Sequence, residues 1–106
     1  MNFRYMRVLV FFDLPVMTAA GKKAYTAFRK FLIRDGFFMM QESVYCKIAL
    51  NQQASNAIVE QIKNNKPECG LVQVLVITEK QYSNMVLVVG DSKSDVINSS
   101  DRLVIL

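Results

Sequence analysis

Four apolar runs along the chain of 106 residues mark candidate strands. Residues 5–13, YMRVLVFFD, are β-branched and aromatic with little alternation, so we expect a central strand covered on both faces. The run at 37–50 is longer than a usual strand, which predicts a bulge or tight bend near 41–43. Two further buried strands are predicted, at 71–80 and 85–90.

Two segments between these runs have the apolar spacing of amphipathic helices. The first begins after Thr18, which can act as its N-cap, and stops at Gly36. Its predicted inward positions are Ala24, Tyr25, Phe28, Phe31 and Leu32. The second covers about 52–65 behind Asn51 as N-cap. Its predicted inward positions are Ala54, Ala57, Ile58, Gln61 and Ile62.

The order strand, helix, strand pair, helix, strand predicts an α+β fold. Specifically, it is typical of a ferredoxin-like split βαβ domain over 1–90, an antiparallel sheet with two helices on one face. Residues 91–106 form a polar tether followed by the apolar segment DRLVIL. We expect this C-terminal strand to be exchanged in a homodimer, because it can fold back or extend a neighbouring sheet edge. An apolar fraction of 52% agrees with an apolar surface that contacts a partner chain, although a strand-rich core explains it equally well.

The charge is mildly basic, with a formal net charge of +4 and a pI near 9.2, which favours polyanionic partners. Lys23, Lys30 and Arg34 cluster on the predicted outer face of the first helix, and Lys22 lies with Arg29 on its flank. Lys22, Lys23, Lys30 and Arg34 are the candidate nucleic-acid contacts. They could contact duplex phosphates without sequence preference, or simply keep an exposed helix soluble. No signal peptide or membrane-spanning run is evident in the sequence, so we expect a soluble, cytoplasmic protein.

The chain has no histidine, which excludes catalytic dyads and triads built on that residue. Acid and base chemistry must therefore use carboxylates, lysine, tyrosine or metal-bound water. No glycine-rich phosphate-binding motif is present. Cys46 and Cys69 lack zinc-ligand spacing, and we expect both to be reduced, buried thiols.

Asp13 is the acid of greatest interest, because it lies at the carboxyl end of the predicted central strand. One carboxylate holds Mg²⁺ weakly, but a two-fold axis near this strand end would bring two copies together around one ion. Such an ion could activate water against a phosphodiester. Alternatively, Asp13 only accepts backbone N–H groups in its turn, and we weigh the two interpretations equally.

Five segments resemble, in family order, the second and smaller of the two universal CRISPR-associated adaptation proteins, in its type II-A form. They are VLVFFDLP, KAYTAFRKFLIRDGF, QESVYCKIAL, NNKPECGLVQVLVITEKQY and DRLVIL. The resemblance implies a ferredoxin-like homodimer with one Mg²⁺ shared by two aspartates, which match Asp13. It also implies catalytic roles for Ser43, in QESVY, and Arg29, in FRKFL. The implied function is adaptation, in which the dimer bridges two CRISPR integrase dimers and holds duplex protospacer DNA.

One departure from the family pattern weakens the predicted nuclease. Relatives often carry further acids after the strand, whereas this chain has Leu14, Pro15 and Val16. We therefore expect an architectural role, with weak or condition-dependent metal-assisted cleavage of RNA or DNA. Alternatives are a stand-alone toxin-type ribonuclease of the same fold and a small-ligand regulatory domain. An RNA-recognition sheet ranks last, because its aromatic signature motif is absent.

Overall fold

The chain alternates strands and helices in the order that its apolar pattern predicts. The computed structural model describes residues 5–90. Its elements are β1 (Met6–Asp13), α1 (Ala19–Arg34), β2 (Phe38–Gln41), β3 (Val44–Ala49), α2 (Gln52–Asn64), β4 (Leu71–Thr78) and α3 (Glu79–Ser83). None of the helices in this range combines the length and apolar character that a membrane span requires.

The four strands form one antiparallel sheet in the order β2-β3-β1-β4. β1 is central and pairs along most of its length with both β3 and β4. Helices α1 and α2 pack on the same face of the sheet, so the predicted ferredoxin-like α+β class is confirmed. The predicted tether and exchanged strand, 91–106, lie outside the described residues.

The local signals that begin and end the helices act as the sequence predicts. The Thr18 hydroxyl accepts a hydrogen bond from the Gly21 amide at 3.0 Å, and the Asn51 side chain accepts one from Ala54 at 2.8 Å. Gly36 has a φ of 99°, a left-handed conformation that glycine adopts without steric cost. The bend predicted within 41–43 separates β2 from β3, and Ser43 there has a φ of 66°.

The core lies between the sheet and the two long helices. Val8, Val10 and Phe12 point from β1 toward Phe28 and Leu32 of α1, and all are less than 5% exposed. The Phe12 ring meets the Phe28 ring edge-on at 5.1 Å between centroids. Each large side chain buried here contributes about 1.5–3 kcal/mol of hydrophobic stabilisation. The core therefore fixes β1 against α1.

The C-terminal part of the described chain differs from its prediction. Residues 79–80 begin α3 rather than extending the strand, because Thr78 and Gln81 form a reciprocal capping box. β4 is only half covered: as an edge strand it has a neighbour on one side, and its inward side chains Val72, Val74 and Val76 are partly rather than fully buried. Residues 85–90 form no strand within the described chain: α3 carries them off the sheet, and Met85–Val89 are 50–88% exposed.

The inward face of α2 is also rotated from its prediction. Ala57 and Gln61 are exposed, whereas Ser55 is fully buried and Val59 packs against the core. Ser55 tolerates burial because its hydroxyl donates to the Gln52 carbonyl at 2.6 Å. Helical spacing alone does not distinguish a small satisfied polar side chain from an exposed one.

Candidate functional site

The sheet has a second face that α1 and α2 leave uncovered, called here the open face. Strand alternation directs Leu9, Phe11 and Asp13 of β1 to it, opposite the core residues of the same strand. Four apolar side chains on this face are 44–54% exposed: Phe38, Ile48, Leu71 and Leu75. A clustered apolar surface of this kind is typical of a protein contact.

Asp13 lies at the end of β1 on this open face, and its side chain is exposed. Among residues 5–90, no hydrogen bond or ion pair engages its carboxylate. The alternative role of Asp13, accepting backbone N–H groups within its own turn, requires nearby donors. Within residues 5–90, no backbone N–H donates to this side chain. Within residues 5–90, the carboxylate is therefore exposed and unpaired.

Ser43 lies beside the strand end that carries Asp13. The Phe12 amide donates to the Ser43 carbonyl at 3.1 Å, which joins the β2–β3 turn to β1 one residue before the acid. The positive φ of Ser43 is uncommon for a residue with a side chain and is found repeatedly at functional sites. The fold thus places two of the predicted site residues at one end of the sheet.

Arg29 lies on the other side of the sheet from Asp13. Its Nε donates to the hydroxyl of Tyr45 at 3.0 Å, and Tyr45 is a core residue of β3 only 1% exposed. The Tyr45 ring packs 5.6 Å from the Phe12 ring, measured between centroids. Within one chain Arg29 therefore contacts the core beneath β1 rather than the acid at its end.

The basic exterior predicted for α1 is present. Lys22, Lys23 and Lys30, with Thr26 and Ala27, line a shallow, open depression of about 460 Å³. Arg34 continues the exposed row one turn further along the helix. We call these four cations the basic stripe. No described acid pairs with any of them, so their charge faces solvent.

The carboxylates of one chain fit a metal site only in part. A hard divalent cation prefers several oxygen ligands. Within residues 5–90, no three Asp, Glu, His or Cys side chains come together as such a set. Within this range Asp13 contributes one carboxylate to such a set.

The opposite end of β1 carries a closed ionic cluster that the sequence did not indicate. The Arg7 guanidinium donates to Glu79 through Nε at 2.7 Å and through a terminal nitrogen at 3.1 Å. It stacks over the Tyr82 ring, 3.9 Å from the centroid, and reaches the Cys46 sulfur at 3.6 Å. Burial opposes the charge, yet the hydrogen bonds to Glu79 and Cys46 raise the pKa of Arg7. Burial raises the pKa of the Cys46 thiol and of Tyr82.

The two cysteines occupy different environments. Cys46 is buried as predicted, but Cys69 is exposed, so the prediction of two buried thiols is wrong for the second. Cys69 lies in the loop between α2 and β4, where the chain runs over the surface before the Gly70 turn. Neither thiol belongs to a cluster of metal-binding side chains in the described range.

Together the fold and the site define a class of protein: a small ferredoxin-like domain with an exposed acid at the end of its first strand and a basic outer helix. The chain matches the family described as CRISPR associated protein Cas2 over residues 6–85. It belongs to the Cas2 family.

Relatives in this family support the same assignment over most of the chain. The chain is 52% identical over 101 residues to the CRISPR-associated endoribonuclease Cas2 of Treponema denticola, covering 95% of this chain and 100% of the relative. It is 44% identical to the protein of that name from Streptococcus mutans, covering 95% and 93%. For the Acidovorax ebreus relative the identity is 48%, over 80% of this chain and 83% of the relative. The type II-A subtype stays a prediction.

Proposed function

We propose that the chain is a CRISPR adaptation protein that works as a homodimer, bridges two integrase dimers and holds duplex protospacer DNA. It has a weak Mg²⁺-dependent endonuclease activity centred on Asp13. Membership of the Cas2 family and the names of the relatives, endoribonucleases, support this function. The observation that carries the nuclease part is the exposed Asp13 carboxylate, which no side chain of residues 5–90 engages.

The open face supports the proposed homodimer. Its exposed apolar side chains would be covered by the same face of a second copy, and a two-fold arrangement uses one surface twice. Asp13 lies on this face, and within residues 5–90 it belongs to no group of three or more metal-binding side chains. One symmetric contact thus buries the apolar surface and can supply the second acid.

The proposed reaction is hydrolysis of a phosphodiester. Mg²⁺ held by the two Asp13 carboxylates would supply activated water and charge neutralisation. Ser43 would keep the acid-bearing strand end in place and offer its hydroxyl to the phosphate. Arg29 keeps Tyr45 oriented through its Nε, and its remaining N–H groups would bind another backbone phosphate of the nucleic acid on the helix side of the sheet.

The nuclease proposal is tested with Asp13→Asn, which removes the negative charge and preserves the size of the side chain. We expect Mg²⁺-dependent cleavage of RNA and duplex DNA to fall by about 100-fold or more, the scale of losing a catalytic electrostatic group. Glu60→Gln is the matched control, because Glu60 is also an exposed acid and its ion pair within residues 5–90 is with the exposed Lys63. Each variant is assayed with Mg²⁺ and with chelator. Equal cleavage by Asp13→Asn and the control would contradict the proposal.

The basic stripe supports duplex binding through phosphate contacts. We expect reversal of Lys22, Lys23 and Lys30 to glutamate to weaken duplex binding and lower its salt dependence, by about 0.9 in the logarithmic slope for each lost contact. Adding Arg34→Glu should weaken binding further. The control reverses three other exposed lysines, Lys63, Lys66 and Lys80, with the same change in charge. If both triple variants weaken duplex binding equally, the effect comes from net charge alone. That result would contradict the basic stripe as the duplex-binding surface.

A stand-alone toxin-type ribonuclease is the second candidate, because the relatives are named endoribonucleases. Mass-resolved chromatography separates the two functions. An adaptation protein is expected to elute as a dimer and to join a larger complex with integrase and duplex DNA. A dimer that cuts RNA but ignores both partners would favour the ribonuclease.

A further inference from the structure

The turn that carries Asp13 is contacted from two sides by glycines that leave no space for a side chain. A Cβ on Gly70, just before β4, would lie 3.0 Å from the Asp13 carbonyl oxygen and 3.2 Å from the Leu14 Cα. A Cβ on Gly21, in the first turn of α1, would lie 2.2 Å from the Pro15 carbonyl oxygen. At Gly21 the nearest neighbour is backbone, so a side chain there would displace the turn. At Gly70 the added Cβ would also lie 3.1 Å from the Leu14 Cγ, and the turn would have to move by a few tenths of an ångström to accept it.

The same turn is fixed at two further points. Leu14 is only 6% exposed and packs in the core cluster, while its neighbours Asp13 and Pro15 are exposed. On the strand side, the Phe12 amide is bonded to the Ser43 carbonyl at 3.1 Å. The backbone of 12–15 is thus held by α1, by the β4 approach, by the core and by the β2–β3 turn.

This arrangement differs from that of an acid held through its own side chain. No side chain of residues 5–90 touches the Asp13 carboxylate through a hydrogen bond or ion pair, so its position depends on the backbone that carries it. A reacting group displaced by about 1 Å can lose about 100-fold in rate. The contacts that set this backbone are therefore expected to control the use of the carboxylate.

We infer that Gly21 and Gly70 are positioning residues that clamp the 13–15 turn and so place the Asp13 carboxylate. Neither glycine contacts a substrate in this assignment; each acts through the backbone of the acid. The functional consequence rests on the proposed role of Asp13, whereas the clamp itself is a property of the described chain.

Gly70→Ala tests the clamp from the β4 side, and the chain offers a close control. Gly70 and Gly36 both have left-handed backbone, with φ of 96° and 99°. A Cβ on Gly36, however, first meets the flexible end of Lys47 at 3.4 Å. Alanine therefore introduces similar backbone strain at both positions, but only at Gly70 does it press on the Asp13 turn.

The first measurement is by NMR on the full-length protein without nucleic acid. We expect Gly70→Ala to shift the Asp13 amide and carboxyl resonances and to weaken the broadening of these signals by Mn²⁺. Gly36→Ala should leave them in place. The second measurement is Mg²⁺-dependent cleavage per folded protein, expected to fall by about tenfold or more for Gly70→Ala alone, the scale of a misplaced reacting group.

Gly21→Ala tests the clamp from the helix side. Alanine inside a helix is ordinarily favoured over glycine, so an unconstrained site would gain thermal stability. Because of the contact with Pro15, we expect this variant to lose stability instead and to shift the same Asp13 resonances. Gln53→Ala, an exposed position near the start of α2, is the control for added helix propensity.

The outcomes distinguish the clamp from the proposed function. Unshifted Asp13 resonances in both Gly21→Ala and Gly70→Ala, or equal shifts in Gly36→Ala, would overturn the clamp whether or not the protein cleaves. Absence of Mg²⁺-dependent cleavage in the unaltered protein would instead contradict the nuclease, while the resonance comparison would still decide the clamp.

Discussion

The two ends of β1 carry charged side chains on the same open face, yet they are built in opposite ways. At the start of the strand, Arg7 is 12% exposed at its side chain and is bonded to Glu79, stacked on Tyr82 and in contact with Cys46. At the end of the strand, Asp13 is exposed and has no partner among residues 5–90. One end is closed by side-chain contacts, and the other is open.

This difference separates a structural charge from one available for function. The Arg7 cluster joins β1 to α3, the last described helix, and so fixes the direction in which the chain leaves the sheet. Among residues 5–90, Asp13 makes no side-chain hydrogen bond or ion pair, whereas its backbone is closely packed and bonded. A carboxylate that is positioned but unpaired can bind a ligand without first breaking an internal contact.

The largest stability effect is expected at the closed end. Arg7→Met removes the guanidinium and leaves the Glu79 carboxylate without its partner. Loss of one member of a buried pair costs about 3–5 kcal/mol, and because Glu79 is 34% exposed we expect about 2 kcal/mol here. Urea denaturation at fixed protein concentration measures the loss.

An exposed ion pair provides the control for Arg7→Met. Lys63 and Glu60 are 3.2 Å apart, and each side chain is 65% exposed. Lys63→Met should therefore change stability by less than about 0.5 kcal/mol. If Arg7→Met lowers the free energy of unfolding no more than Lys63→Met does, the Arg7 contacts do not stabilise the start of β1. The contrast with Asp13 would then be wrong.

A smaller effect at the same end is expected in alkaline solution. Burial raises the pKa of Cys46 above its ordinary 9.0, so the unfolded chain releases this proton at lower pH than the folded one. The stabilisation that the neutral Cys46 thiol contributes is complete below pH 9.0. It decreases as the pH rises toward the pKa of this thiol in the folded protein. The slope is at most about 1.4 kcal/mol per pH unit for one proton.

Cys46→Ala separates this proton from the others that titrate in the same range. We expect the variant to be less stable at neutral pH, because a buried sulfur is lost, but to have a flatter decline between about pH 9 and 10, where an ordinary thiol ionises. Denaturation curves are recorded in the presence of reductant over this range. Parallel declines for the variant and the unaltered protein would show that the thiol is not held neutral by burial.

The parts of the fold that the sequence predicts correctly depend mostly on local signals, such as helix caps and apolar runs. The caps at Thr18 and Asn51 act within one helical turn, and the apolar run of β1 reports its central position, so the sequence near each element was sufficient. The capping box that starts α3 is equally local but was missed, because the apolar run before it suggested a longer strand. The 85–90 run has strand composition, but in the described chain no sheet edge receives it.

The sequence predicts a feature of the candidate site only where that feature depends on the place of a residue within its own element. Asp13 lies at the end of a strand, as the sequence indicates, and the structure adds that its side chain is exposed. The Arg7–Glu79 pair joins residues 72 positions apart, and the bond from Arg29 to Tyr45 crosses from α1 to β3. The glycine contacts on the 13–15 turn likewise unite α1 and the β4 approach with β1. Such contacts depend on how distant segments pack, which no local pattern contains.

The smallest effect on stability is expected at the open end. Asp13→Asn removes a carboxylate that makes no described side-chain contact, so the free energy of unfolding should change by less than about 0.5 kcal/mol. In a homodimer, two Asp13 carboxylates brought together would repel each other without a bound cation, because like charges at short range are unfavourable. Asp13→Asn should then stabilise the chelator-treated protein slightly and abolish any stabilisation by Mg²⁺. Thermal unfolding with chelator and with Mg²⁺ measures both effects. A large loss of stability of Asp13→Asn in chelator would show that Asp13 stabilises the fold instead of binding a ligand.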